Sequence, residues 1–412
     1  MKLADVTAHA LSSPIEPVQE RPFAGGVRRL HKRDVVVVLL ETADGLRGVA
    51  PAGASSSAMR EFFEDASQAT FAAAINEHVA PALSGAEVET AADIPDLLAA
   101  SELPDRIQSE AAAALDVAYH DVRGRRQGVG IGELLANAHE TNLTSSMELY
   151  ASAGMYMEPA GYGRQAELLE TAGFLGYKYR PGIGPDHDRE TVDLLADRLT
   201  DSEFMLDSHT WWKTPGDTYD RSTVVNLVEH AGKRGAMWVE EPVEPDDYDG
   251  YRTLGRLGVP LAGGESEPSP EGLISLAETG AVSFLQGDVR HHGGYTGCWR
   301  AAAAARERDI TFVPHHFGTW LGLAANAQLV AALPDGELLE YPVFTDDPVL
   351  RTDEDPGMYP FDLAYDIIEE TPTVEDGTLT IPDGDGLGVT FNDEVIDAYP
   401  FQEGPWTEFI ME

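Results

Sequence analysis

Three carboxylates, Asp207, Glu240 and Glu265, each close a short apolar run: Phe204-Met-Leu-Asp, Trp238-Val-Glu and Leu261-Ala-Gly-Gly-Glu. Hard oxygen ligands in that number, with room left for water and substrate, suit Mg2+ better than zinc, which favours His or Cys. Acidic residues fill 71 of 412 positions, so three preselected positions would all be acidic with a probability of roughly 0.005. Strand alternation selects Glu240 over its neighbour Glu241 as the inward side chain. The next two runs end at Asp288 and His315. An aspartate beside a histidine fixes its tautomer and raises its basicity, which makes a general base; alone, the histidine would read as a satisfied core residue. His316 is its neighbour and faces the other way by the same alternation.

Lys178 and Arg180 lie two apart on one run and project to the same side. Arginine keeps its proton, so Arg180 suits anchoring a carboxylate or stabilising charge rather than accepting a proton. His209, two residues after Asp207, shares its face and reads either as a proton donor to a leaving group or as a structural partner of the ligands. Trp211 and Trp212 either cover the site or pack beneath it, and the sequence does not distinguish the two.

The elements that must position these groups follow from their spacing. From Arg180 through Asp207, Glu240, Glu265, Asp288 and His315 to Glu340, the steps are 27, 33, 25, 23, 27 and 25 residues by subtraction. Each step holds one strand, one helix and two loops. A repeated βα unit of that size builds a closed parallel barrel, whose active site sits at the carboxyl ends of the strands. Glu148-Leu-Tyr-Ala-Ser-Ala supplies a first strand, bringing the count to eight. Helices are expected near Arg189–Leu199, Ser222–Gly232, Pro270–Glu278 and Thr296–Arg306, and over the small-residue stretch from Ala324.

Residues before the barrel read as α+β. Val35-Val-Val-Val-Leu-Leu is a buried strand, Gly45 marks a hairpin turn, and the Ala-rich stretch from Gln108 is a helix with a face suited to close packing. The segments Thr373–Pro382 and Gly386–Phe391 read as two short strands that return to this N-terminal domain. The expected organisation is an α+β capping domain over 1–143, a (β/α)7β barrel, a modified TIM barrel, over 144–370, and a C-terminal segment over 371–412.

Composition narrows the partners. Twenty-eight basic against 71 acidic residues give a net charge of −43, which argues against nucleic acid or an anionic membrane surface. Lysine occurs only at positions 2, 32, 178, 213 and 233. An acidic, lysine-poor chain points to a salt-rich, haloarchaeal-type cytoplasm, where screening removes the self-repulsion. A single cysteine, Cys298, precludes an intrachain disulfide and fits a reducing compartment. The start lacks a continuous apolar stretch of the export type, and no run of 18 apolar residues occurs, so a cytoplasmic location is expected.

Taken in order, the Lys178-Tyr-Arg180 motif, the three carboxylates, the Asp288/His315 dyad, Glu340 and the closing Asp376-Gly and Gly386-Leu-Gly resemble the enolase superfamily. The resemblance is to the mandelate racemase subgroup and its acid-sugar dehydratases, and it covers nearly the whole chain. It implies a modified barrel capped by both chain ends, with Mg2+ on Asp207, Glu240 and Glu265. His315, oriented by Asp288, would remove the proton α to a carboxylate, and Glu340 would help polarise that carboxylate. Lys178 and the metal would hold the resulting dianion. Racemases place a lysine where this chain has Arg180, which argues against racemisation. The lactonising branch has a lysine where this chain has Asp288. His209 matches an Asp-x-His in which the histidine is the acid; alternatively His315 serves both roles.

The expectation is therefore a Mg2+-dependent aldonate dehydratase giving a 2-keto-3-deoxy acid. The rivals are a hydroxy-acid racemase or epimerase and a barrel that binds a sugar acid without turnover. Specificity loops are expected around Arg21–His31 and Ala52–Arg60, and the resemblance implies a homo-oligomer, a dimer or octamer.

Overall fold

The computed structural model describes residues 1–54, 59, 67–350, 354 and 356–411. Two long strands, β1 (Leu3–Phe23) and β2 (Gly26–Thr42), form an antiparallel hairpin. β3 (Arg47–Ala52) adds to β2 after the turn at Gly45, whose φ is +86°. The run Val36–Leu40 is buried throughout. The helix Asp105–Gln127 packs against β3, and its alanines allow this: a Cβ on Gly48 would lie 2.3 Å from the Ala118 carbonyl oxygen. Asp121 on that helix accepts from the Val49 and Leu387 amides, both at 2.9 Å, and so ties sheet, helix and tail together.

The barrel follows. Its strands are β4 (Ser146–Met155), β5 (Gly176–Arg180), β6 (Glu203–Asp207), β7 (Trp238–Glu240), β8 (Leu261–Gly263), β9 (Phe284–Leu285), β10 (Thr311–Phe312) and β11 (Leu338–Pro342). Neighbours from β4 to β10 pair in parallel, and β11 closes onto β4. Seven helices alternate with the eight strands: Pro159–Thr171, Pro185–Arg198, Arg221–Lys233, Tyr248–Gly255, Pro270–Glu278, Gly294–Arg306 and Trp320–Ala332. This is the (β/α)7β order. The small-residue helix Trp320–Ala332 is buried along its whole length.

Period-two alternation plugs the barrel. Tyr150, Met205, Trp238, Ala262, Val313 and Leu338 form one buried apolar cluster apart from the main core. Two positions beyond Met205 and Trp238 on the same strand faces stand Asp207 and Glu240, which are paired across β6 and β7. The carboxylates therefore rest on a dry plug at the carboxyl ends of the strands.

The tail departs from expectation. The first segment forms the hairpin β12 (Val374–Glu375) and β13 (Thr378–Thr380), and β13 pairs with β4 of the barrel rather than with the capping sheet. Residues 386–391 form no strand; Gly386, at φ +67°, fits against Asp121 where a Cβ would be 2.0 Å from a carboxylate oxygen. What returns to the cap is β14 (Thr407–Met411), antiparallel to β2 from Gly26 to Leu30. Among the described residues, no helix is long and apolar enough to cross a membrane.

Candidate active site

Every strand end singled out in the sequence points into one mouth of the barrel, and each charged group there is already engaged. On β5, Lys178 is buried, with Nζ 2.7 and 3.0 Å from the two oxygens of Glu240 and 2.8 Å from Glu340 Oε1. Burial pushes the ammonium down, but Glu240 and Glu340 hold it well above its ordinary value, so it stays charged. Arg180 donates to Asp207 Oδ2 from Nε at 2.9 Å and from Nη2 at 2.5 Å. That grip holds the Asp207 carboxyl far below the usual range despite its burial. Glu340 also accepts from the His316 amide at 2.8 Å and from the Tyr150 hydroxyl at 3.3 Å.

The glutamate pair after β7 departs from the alternation argument. Glu240 points inward as expected, but its oxygens are taken by Lys178, by Gln286 at 2.7 Å and by Trp238 Nε1 at 3.2 Å. Burial raises its carboxyl to about 7 against the pull of Lys178. Glu241 sits at φ +42°, which breaks the two-residue period and turns its side chain into the same mouth. Its oxygens accept from the Ser266 amide and hydroxyl at 3.0 and 2.7 Å.

Ligand atoms of His209, Glu241 and Glu265 lie within 4.8 Å of one another. Among the described residues, Asp207, Glu240 and Glu265 do not form such a group. Asp207 and Glu240 are instead drawn to Arg180 and Lys178, the strongest opposite charges within reach. Asp207 Oδ1 and His209 Nδ1 stand 2.8 Å apart and engage each other in the buried mouth. Two carboxylates and one imidazole converging in this way fit a hard divalent cation, with oxygen donors in the majority.

Glu265 sits between two imidazoles. His315 Nε2 is 2.9 Å from Oε2, and His209 Nδ1 is 3.5 Å from Oε1. His315 Nδ1 faces Asp288 Oδ2 at 3.2 Å, so the dyad expected from sequence is formed. Burial lowers the His315 imidazole, but the carboxylates of Glu265 and Asp288 outweigh it and hold the ring well above its ordinary value. Burial and the charge of Arg180 lower His209. The two histidines thus differ in basicity on either side of one carboxylate.

Arg290 had no signal in the sequence beyond following Asp288 by two. It binds both Asp288 oxygens through Nε, at 3.1 and 3.0 Å. His316 faces away from the mouth, its ring packed where a Cβ on Gly322 would be 2.7 Å from it. Trp211 packs rather than covers: its Nε1 donates to buried Asp188 at 2.9 Å and its ring stacks on Tyr219. Trp212 borders the site, 6.5 Å from the His209 ring, with Nε1 on the Glu241 carbonyl at 3.0 Å.

The tip of the β1–β2 hairpin, within the expected loop Arg21–His31, docks on the barrel through the Ala24 amide and the Gly182 carbonyl at 2.8 Å. Of the other expected loop, residues 55–58 and 60 lie outside the described residues.

Known proteins share this fold and part of this sequence. D-galactarolactone cycloisomerase of Agrobacterium fabrum is 27% identical over 296 residues, covering 70% of this chain and 73% of that protein. D-xylonate dehydratase of Haloferax volcanii is 22% identical over 308 residues, covering 70% and 69%. Among solved structures, 3,6-anhydro-D-galactonate cycloisomerase of Zobellia galactanivorans superposes with a TM-score of 0.75 at 24% identity, covering 98% of this chain and 100% of that one. An enolase superfamily member from Polaromonas sp. JS666 gives 0.77 at 22% identity, covering 98% and 99%. The mandelate racemase/muconate lactonizing enzyme N-terminal domain matches residues 10–136, and the enolase C-terminal domain-like family matches residues 161–395. With the latter spanning more than half of its length, this chain belongs to the enolase superfamily, in the branch of mandelate racemase and muconate lactonizing enzyme.

Proposed function

We propose that the protein is a Mg2+-dependent hydro-lyase that converts a sugar acid to a 2-keto-3-deoxy acid. One observation carries this reading: His315 and His209 approach the two oxygens of the same carboxylate, Glu265, at 2.9 and 3.5 Å. Two imidazoles on one carboxylate supply the proton-transfer groups of a β-elimination, and with Glu265 holding a divalent cation the negative charge that keeps His315 protonated would be cancelled, letting that ring accept. His315 takes the proton α to the substrate carboxylate. The electron pair left on carbon expels the β-hydroxyl, which is protonated by His315, now carrying the α-proton, or by His209, and departs as water. The resulting enol tautomerises to the 2-keto acid.

Asp207, Glu241 and Glu265, with Glu240 behind them, are the side chains that would hold the metal. When bound, it supplies positive charge for the substrate carboxylate and the enediolate. Lys178 adds a buried cation at the same place, and Asp288 keeps His315 oriented.

A racemase needs a second base. Arg180 is locked on Asp207 and keeps its proton, which disfavours racemisation. The names of two relatives, a xylonate dehydratase and a galactarolactone cycloisomerase, frame the same choice between loss of water and rearrangement at constant mass. The test is mass spectrometry of a sugar-acid panel incubated with protein and Mg2+ in D2O at high salt. Loss of one water from a substrate, abolished in His315→Asn, supports dehydration. Deuterium gain or isomerisation at constant composition replaces it with an epimerase or cycloisomerase.

A further inference from the structure

Arginines of this chain find carboxylates: Arg47 reaches Asp393 and Arg126 reaches Asp44, each at 2.7 Å, and Arg198 reaches Glu167 at 3.0 Å. With 71 acidic residues available to 28 basic ones, a buried guanidinium left without one stands out. Two such arginines lie side by side on β2, over the barrel mouth.

Arg28 is 6% exposed. Its Nε donates to the Thr407 hydroxyl at 3.1 Å, its Nη1 lies 3.5 Å from Met155 Sδ, and its guanidinium stacks over Trp406 and Phe409 at 5.0 and 5.2 Å. Arg33 lies between the rings of Phe317, Phe361 and Trp406 at 5.5, 5.7 and 5.1 Å, and its buried Nε has no hydrogen-bond partner. Among the described residues neither makes an ion pair with a carboxylate. Burial pushes the Arg28 guanidinium down from its ordinary value, and the like charges of Arg180 and Arg33 add to this.

Both reach the catalytic cleft. Met155 and Phe317 line the same cleft as Lys178, Arg180 and Asp207, and Phe317 follows His315 by two residues. A third arginine, Arg21, donates from Nη2 to the carbonyl of Met358, another lining residue, at 2.9 Å. On the barrel side, Lys178 and Arg180 are offset by Glu240, Glu340 and Asp207. On the hairpin side Asp34, paired with Lys32 at 3.1 Å, is the carboxylate that feels Arg33, and no described carboxylate pairs with Arg28. Aromatic faces hold each guanidinium plane and leave its N–H edges for a planar or tetrahedral oxyanion.

We propose that the substrate carries a second anionic group, remote from the carboxylate beside the reacting carbon, and that Arg28 and Arg33 receive it. A sugar diacid or a phosphorylated sugar acid has this chemistry; a plain aldonate, the expectation from sequence, does not. The proposal rests on the α-proton reading of the barrel mouth. It explains why a buried and a half-buried arginine stand together without an ion pair among the described residues of an acid-rich chain: the ligand supplies the counter-charge.

The test compares three sets of acids of matched carbon number on the wild-type holoenzyme: aldonates, the corresponding diacids, and aldonates phosphorylated at the far end. Solvent deuterium exchange, turnover and ligand-induced shift in Tm are measured for each. The expected result is kcat/KM at least about 100-fold higher for one doubly anionic set, with the preferred set naming carboxylate or phosphate. Arg28→Met and Arg33→Met should collapse that ratio towards one, mainly through KM. Aldonates processed as well as or better than both doubly anionic sets would overturn the proposal while leaving α-proton abstraction intact. Absence of exchange with every acid would instead overturn the α-proton reading. The Tm shifts then decide the arginines' role separately: equal shifts from singly and doubly anionic acids refute it, and larger shifts from the latter support it.

Discussion

Arg290 Nη2 and His315 Nδ1 converge on the same oxygen, Asp288 Oδ2, at 2.5 and 3.2 Å. Asp288 is fully buried, and Arg290 and His315 together hold its carboxyl well below the usual range against that burial. The dyad is therefore a triad in which arginine fixes the carboxylate that fixes the imidazole. As a positioning residue, Arg290 should matter for the proton-transfer step more than for binding. Arg290→Met is expected to lower kcat by on the order of 10–100-fold with KM nearly unchanged, and Arg290→Lys to recover part of the loss. Unchanged kcat together with a lowered Tm would make Arg290 a structural residue only.

Glu240 and Glu241 make a discriminating pair. If Glu241 and Glu265 hold the metal, Glu241→Gln and Glu265→Gln should each weaken Mg2+ binding about 10–100-fold in calorimetric titration. Glu240→Gln should bind metal more nearly as the parent does, but lose turnover because Lys178 loses its closest carboxylate. The reverse pattern would restore Glu240, the residue chosen by strand alternation, as the ligand. Chelation should abolish activity and Mg2+ should restore it.

His292 couples stability to pH. Its Nδ1 accepts from the Asp288 amide at 2.9 Å and its Nε2 donates to the Glu267 carbonyl at 3.0 Å, so both ring nitrogens are committed in the neutral form. Burial, with the nearby charge of His291, lowers it from 6.5 to about 4. The unfolded chain takes up this proton first. The contribution is therefore fully present above about pH 6.5 and is lost as pH falls towards 4, amounting to about 3 kcal/mol. Urea unfolding between pH 7 and 4.5 should show this loss, and His292→Gln should lack that component. An identical pH slope in the variant would rule the residue out.

The net charge of −43 predicts salt-dependent stability. Between 0.1 and 1 M salt the Debye length falls from about 10 to about 3 Å, so repulsion among surface carboxylates fades. Raising KCl over that range should lift Tm by at least about 5 °C in a thermal melt. A flat response would remove the argument for adaptation to a salt-rich environment.

The barrel was legible because two periodicities coincide: polar ends recur every 23 to 33 residues, and Met205–Asp207 and Trp238–Glu240 keep period two within each strand. Asp288 and His315 were legible for the same reason. Alternation failed at Glu241, where a positive φ just past the strand end brings the next side chain to the same side. Arg290 was hidden because it acts through a turn rather than through a strand. The Arg33–Phe317 approach was hidden because it joins distant parts of the chain through tertiary packing. The tail misled because Gly386-Leu-Gly looks like a strand flank, yet its glycine serves the contact with Asp121.

The seating of the hairpin has a consequence for biosynthesis. Thr407 on β14 donates to the Arg29 carbonyl, 378 positions earlier in the chain, and takes the Arg28 guanidinium on its hydroxyl. A nascent chain can finish every barrel strand and the acids at their ends while this hairpin still lacks its outer neighbour. Pairing so remote in sequence forms late, because loop closure must precede it. On the proposed reading, the arginine pair would be set only after the candidate catalytic groups are in place, so a chain truncated before β14 would have the barrel mouth assembled but the arginine clasp unset.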